Sequence, residues 1–136
     1  MLGLADIRNY LKTLDTKVDL NNYYIGKLDN KKDKSIGVYQ RKINNNTLIA
    51  LGGNLMSYKI LPVSILVHYN KNARETEEFS NKLYLELLNK SINLDDLRIK
   101  DRKIKLIKLY NNASVDVGTD DNNVYERVIE LDFYYE

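Results

Sequence analysis

Residues 58–90 read YKILPVSILVHYNKNARETEEFSNKLYLELLNK, and this stretch decides the class of fold. Its first third alternates: Leu61, Val63, Ile65, Val67 and Tyr69 form one apolar face at a period of two, and Ile60, Ser64, Leu66 and His68 form a mixed second face. That is the pattern of a central strand covered on both sides. Pro62 has no N–H, so the start of the strand is expected to lack a ladder bond there. After Tyr69 the period changes. Asn72 is placed to cap a helix running from Ala73 to about Lys90, with Glu75 reaching back to the Asn72 N–H. Thr76, Phe79, Leu83 and Leu87 form its buried stripe, widened by Tyr84 and Leu88, while Glu75, Glu78, Lys82 and Glu86 face away.

The same two periods recur on either side. Leu4, Ile7, Leu11, Leu14 and Val18 repeat at steps of three and four, which predicts an N-terminal amphipathic helix ending near Thr16. NNYYIGKL and IGVYQRK read as two strands joined by the charged turn DNKKDKS, a hairpin over 22–42. Residues 44–58, NNNTLIALGGNLMSY, read as a loop or a short extra strand. SINLDDLRIKD reads as a connector, and RKIKLIKLY as a strand whose alternation breaks at Ile107. The last strand, 124–135, puts Ile129, Leu131, Phe133 and Tyr135 on one face and Glu126, Glu130 and Asp132 on the other. These elements predict a single α+β domain over 1–136. The sheet would be four- to five-stranded and mainly antiparallel, flanked by an N-terminal helix and one long helix.

Composition narrows the function classes. The chain has 136 residues, no cysteine, one histidine and a formal net charge of +2. Thiolate metal sites and disulfides are excluded, and zinc catalysis has too few ligands. Neither a secretory leader nor a membrane-length apolar run is visible, so cytosolic synthesis without membrane contact is expected. The near-neutral total hides segregation: residues 27–42 carry six basic and two acidic side chains, 90–108 seven and three, and 109–136 one and seven. Such a split reads either as solvated faces of alternating sign or as patches through which copies meet.

The acidic C-terminus does not fit an ion loop. Counted from Asp116, an EF-hand finds Gly118 third, Asp121 sixth and Arg127 twelfth; counted from Asp120, it finds Val124 fifth. Gly118 followed by Asp120, Asp121, Asn122 and Asn123 matches turn chemistry instead, because Gly and Asn tolerate positive φ and Asp caps local N–H groups. Glu126, Glu130 and Asp132 share a strand face through alternation alone, and no opposing carboxylate points to a glycosidase pair. His68 reads as a buried, hydrogen-bonded residue. The basic residues Lys27, Lys31, Lys32 and Lys34 beside Tyr23, Tyr24 and Tyr39 read as a nucleic-acid finger or as a solubilising tip. No nucleophile elbow, metalloprotease helix or phosphate loop occurs, so neither an enzyme nor a cofactor is expected.

Two stretches together carry a family resemblance: PVSILVHYNKNARETEEFSNKLYLELL and VDVGTDDNNVYERVIELDFYYE. In this order they resemble the small "minor capsid" proteins of tailed bacteriophages of low-GC Gram-positive bacteria, which in turn are similar to the phage tail terminators. The AT-rich residue usage (Asn, Lys, Ile and Tyr) agrees with such a source. The resemblance covers residues 58–136 and extends to the N-terminal elements in outline. It implies a non-enzymatic virion protein, made in the host cytoplasm, that forms a homohexameric ring at the head-proximal end of the tail tube. The ring would stop tube polymerisation, touching the tube protein and a connector or neck protein, with non-specific proximity to DNA in its channel. A connector (stopper) component or a monomeric nucleic-acid-binding module are the alternatives. The positions that carry over are Arg74 and Glu75 at the helix start, and Gly118, Asp120, Tyr125 and Glu126 around the final turn. Asn122–Asn123 replaces the family's Gly after the acidic pair. For the ring contact, the basic segments 27–42 (with Lys31, Lys32 and Lys34) and 90–108 are expected to meet an acidic surface of the next copy drawn from Glu126, Glu130 and Asp132.

Overall fold

The computed structural model describes residues 1–26, 33–42 and 58–136. In chain order the elements are α1 (Leu4–Leu11), β1 (Tyr23–Ile25), β2 (Ser35–Gln40), β3 (Lys59–His68), α2 (Ala73–Ile92), β4 (Arg98–Ile99), β5 (Arg102–Leu109), β6 (Val115–Thr119) and β7 (Tyr125–Tyr135). The strands form one mixed sheet of order β1-β2-β3-β7-β5-β4, with β6 also on β7. The α+β class is as expected, but among the described residues the sheet has seven strands, because β4 and β6 are short pieces that patterning does not separate.

The β3 and β7 strands are the spine. They pair antiparallel from His68↔Glu126 to Lys59↔Tyr135, which stacks Leu61, Val63 and Ile65 directly across from Phe133, Leu131 and Ile129. All six are buried. Ile36 and Val38 of β2 continue that face through Val67 and Ile65, and Ile7, Leu11, Phe79, Leu83 and Leu87 of the two helices close over it in one cluster. α1 packs on β1, β2 and β4, and α2 on β3, β5 and β7. The helices therefore cover one face. The other face of β3 was expected to be covered too, yet among the described residues no helix lies on it. Its half-buried positions, Ser64 and Leu66 opposite Glu130 and Val128, explain the mixed sequence there.

Residues 22–42 do not form the predicted hairpin. β1 runs parallel to β2, with Tyr23↔Ile36 and Ile25↔Val38, so these strands are not two arms of one turn. Glycine is required at the exit of β1, where Gly26 sits at φ +69° and donates to the Val38 carbonyl. Lys27, Lys31 and Lys32, and the 43–57 segment, lie outside the described residues. Pro62 is tolerated mid-sheet because only its carbonyl is used, accepting from Arg41 N at 3.1 Å.

α1 ends five residues before Thr16, where the Thr13 hydroxyl donates to the Tyr10 carbonyl. Leu14 and Val18 still reach the core from the irregular chain beyond it. The α2 cap is half of the predicted box. Asn72 Oδ1 accepts from Glu75 N at 3.1 Å, but the Asn72 N–H goes to Asn70 Oδ1 and the Glu75 carboxylate accepts from Asn70 Nδ2.

The broken alternation of β5 has a direct cause. The register against β7 shifts between Ile104↔Tyr135 and Leu106↔Tyr134, a β-bulge that turns both Ile104 and Ile107 inward and leaves Leu106 46% exposed. Ile107→Ala is therefore expected to cost about 2–4 kcal/mol, and Leu106→Lys less than about 0.5 kcal/mol. Urea unfolding of the two variants checks this. Equal losses would mean that β5 does not bulge.

Candidate functional site

The residues singled out in the sequence sort into two clusters on the outer face and two outlying groups. The first cluster surrounds Asp132. Alternation puts it on the same side of β7 as Glu126 and Glu130, but it is only 4% exposed. It forms an ion pair with Arg41, which leaves the end of β2, and accepts from Tyr110 Oη at 2.6 Å, just past β5. The Arg41 guanidinium lies 4.5 Å from the Tyr110 ring centroid, and Lys108 Nζ lies 5.1 Å from it. Hydrogen bonding to Asp132, then burial, pushes the Tyr110 hydroxyl above its ordinary range. Asp132 thus ties three strands together within one chain. Its charge is already matched, and only Glu126 and Glu130 of the predicted acidic surface remain for a neighbour.

The second cluster is at the opposite end of β3. His68 is fully buried, and its Nε2 lies 2.7 Å from Asp120 Oδ2. Nδ1 has no partner among the described residues. Asp120 Oδ1 accepts from Asn122 N and Val124 N, both at 2.9 Å. One carboxylate therefore closes the β6–β7 turn and anchors it to the central strand. Asn123 takes φ +64° and Gly118 φ +96°, as the turn chemistry required. Glu126 stands directly across from His68.

Burial alone would raise the Asp120 carboxyl. The bond from His68 and the two backbone N–H groups outweigh it, and the net shift is downward. Burial raises Glu126, partly offset by His68 and reinforced by Asp120. These shifts act on stability in opposite directions. A depressed folded-state value contributes stability above the unfolded-state value, about 3.9 for Asp, and loses it as pH falls through the folded value. A raised Glu costs stability above its unfolded value of about 4.3, and that cost disappears below it. Asp120→Asn is therefore expected to be destabilised at pH 7, with the deficit closing as pH falls below the ordinary Asp value of about 3.9. Glu126→Gln is expected to gain at pH 7 and to match the parent below about pH 4. Thermal midpoints across pH 2–7 test both; parallel curves for parent and variants would refute the assignment.

The other predicted residues sit apart. Arg74 pairs with Glu78 at 3.0 Å, with side chains 88% and 64% exposed, an i,i+4 contact worth about 0.3–0.5 kcal/mol. Lys34 and Glu75 line one shallow groove with Tyr69 and Lys82. There Lys34 Nζ lies 5.4 Å from the Tyr69 ring, which stacks on Phe79 at 4.4 Å. Sequence reasoning missed Arg41, Tyr110 and Ser114. Arg127 explains the last of these: its guanidinium donates to Ser114 Oγ and O, both at 2.8 Å. Ser114 also bonds Ser80 and Asn81 of α2. No local signal marks these residues, because their partners lie 13 to 91 positions away.

Among the described residues, no three His, Cys, Asp or Glu side chains are grouped to hold a metal ion. Nor is any described helix long and apolar enough to cross a membrane. No family model matches the chain, and no curated protein matches it.

Proposed function

We propose that this chain is an assembly subunit of a phage or phage-tail-like particle. It would form a ring at the head-proximal end of the tail tube, end tube polymerisation and dock the connector. The observation that carries this reading is the Asn-capped strand–helix unit of residues 62–88 followed by the acidic turn and terminal strand of 115–136, the two stretches that resemble the phage minor capsid proteins, themselves similar to tail terminators. The architecture is compatible with it: β7 returns alongside β3, and the helices lie on one face. The face that carries no helix among the described residues offers Glu126 and Glu130 to a neighbour. No catalytic role is needed for such a part, and none is proposed. A heterologous contact pairs Glu130 with a basic patch of the next copy, to which Lys34 belongs.

Immuno-electron microscopy of particles tests the role. Label at the head-proximal end of the tail is the expected result; label elsewhere, or absence from particles, overturns it. Glu130→Lys is expected to weaken the ring by native mass spectrometry at moderate salt while leaving the thermal midpoint within about 2–4 °C. A ring as stable as the parent's would remove Glu130 from the contact.

A further inference from the structure

The shallow groove beside Tyr69 gathers positive charge that the fold leaves unmatched. It has a volume of about 310 Å³, and three lysines line it together with Glu75 and Glu78. Lys17 comes from the irregular chain after α1, Lys34 from the entry to β2 and Lys82 from α2; all three are exposed. None of their ammonium groups forms an ion pair among the described residues. The two glutamates are engaged elsewhere. Glu75 accepts from Asn70 Nδ2 at 2.6 Å, and Glu78 pairs with Arg74 at 3.0 Å. Glu78 stands four residues before Lys82, the favoured order for a helical ion pair, yet it turns to Arg74 and leaves Lys82 open to the groove.

Two of these lysines are also held in place. Lys17 and Lys34 have φ of +60° and +53°, a region uncommon for residues other than glycine and kept only where the surroundings fix it. The Lys34 N–H donates to the Tyr69 carbonyl, and its ammonium lies 5.4 Å from the centre of that residue's own ring. Lys34 is thus tied to Tyr69 at both ends. The ring itself stacks on Phe79 at 4.4 Å. With Phe79 against it and an ammonium over it, Tyr69 is a wall of the groove and not a platform for a ligand's ring. What remains for recognition is charge.

We propose that this groove binds a compact phosphate-bearing anion, with Lys17, Lys34 and Lys82 donating to its oxygens. A carboxylate carries one charge and would match one of the three ammonium groups. A phosphate carries about two at neutral pH, and a diphosphate more, on oxygens that point several ways. Lysine suits that geometry as a point charge with three rotatable donors, whereas the planar carboxylate is the partner of arginine's fork. The volume is at the lower end of the range for small-ligand sites, about 300–1,000 Å³. Glu75 and Glu78 would repel a longer polyanion laid along α2, which favours a compact phosphate over a nucleic-acid backbone. The site needs only one subunit and does not rest on the ring reading. Lys34 also belongs to the basic patch of the ring contact, so an occupied groove would weaken that contact.

Titration with pyrophosphate at constant ionic strength tests it, read by calorimetry and by amide resonances. The parent is expected to bind at one site, with the largest shifts at Lys17, Lys34 and Lys82. Lys17→Gln/Lys82→Gln is expected to bind at least about tenfold more weakly. Lys90→Gln/Lys103→Gln, which removes the same charge from exposed positions outside the groove, is expected to bind as the parent does. Equal affinity in the parent and the groove variant overturns the proposal. So does an equal loss in both variants, which would mean general attraction of counter-ions. A short single-stranded oligonucleotide that binds this groove more tightly than pyrophosphate would assign it to a nucleic-acid backbone and overturn the compact ligand. Where the groove variant does not fold, the parent's resonances decide: shifts spread evenly over exposed lysines overturn the site, and shifts confined to the groove support it.

Discussion

Phe133→Ala is expected to lower the unfolding free energy by about 3–5 kcal/mol. Phe133 is fully buried on the helix-covered face of β7, directly between Leu61 of β3 and Ile107 of β5. Truncation removes the ring's transfer energy and leaves a void that two flanking strands, each held by its own ladder, cannot collapse to fill. A domain of this size has about 5–15 kcal/mol in total, so the variant stands near its unfolding threshold at 37 °C. Urea denaturation with an unchanged slope would report a pure stability loss. A loss below about 1 kcal/mol would mean that the core does not close on β7.

The neighbouring residue on the opposite face is expected to matter nearly as much, for a different reason. Asp132→Ala should cost about 3 kcal/mol, the low end of the range for breaking a buried ion pair. The side chains of Arg41 and Asp132 keep 21% and 6% of their surface in water, so Arg41 can recover part of its hydration. The remainder of the loss is Arg41 left without a counter-charge and Tyr110 left without its acceptor. The decisive comparison is the triple variant Arg41→Met/Tyr110→Phe/Asp132→Leu. Removing every polar partner together is expected to restore most of the loss, because the pair's desolvation cost goes with it. A triple variant as unstable as the single one would show that packing, and not the uncompensated charge, sets the effect. Reversing Asp132 in a search for a subunit contact would mainly unfold the subunit, which is why Glu130 is the better probe.

The candidate surface was only partly legible from sequence. Alternation placed Glu126, Glu130 and Asp132 on one face correctly, because side-chain direction in a strand follows from the backbone alone. Exposure does not. It depends on Arg41 and Tyr110, which approach Asp132 from β2 and β5. The β4–β5 hairpin was missed for a local reason. Its two-residue loop, Lys100–Asp101, has both residues at positive φ (51° and 61°), where Asn-Gly is the usual signal. The β1–β2 pair was misread as a hairpin because two strand-like runs around a polar stretch fit either direction of pairing.

What the sequence determined by itself are the features that depend on period and local chemistry. These are the β3 face of Leu61, Val63, Ile65 and Val67, the Asn72 cap and buried stripe of α2, the β7 alternation, and the Asp120–Asn123 turn in place of an ion loop. Each follows from backbone geometry over a few residues. Only the tertiary structure decided the parallel direction of β1, the inward turn of Ile107 at a bulge and the burial of Asp132. Those depend on which strands become neighbours, and strand pairing is set by long-range packing that no short window of sequence contains.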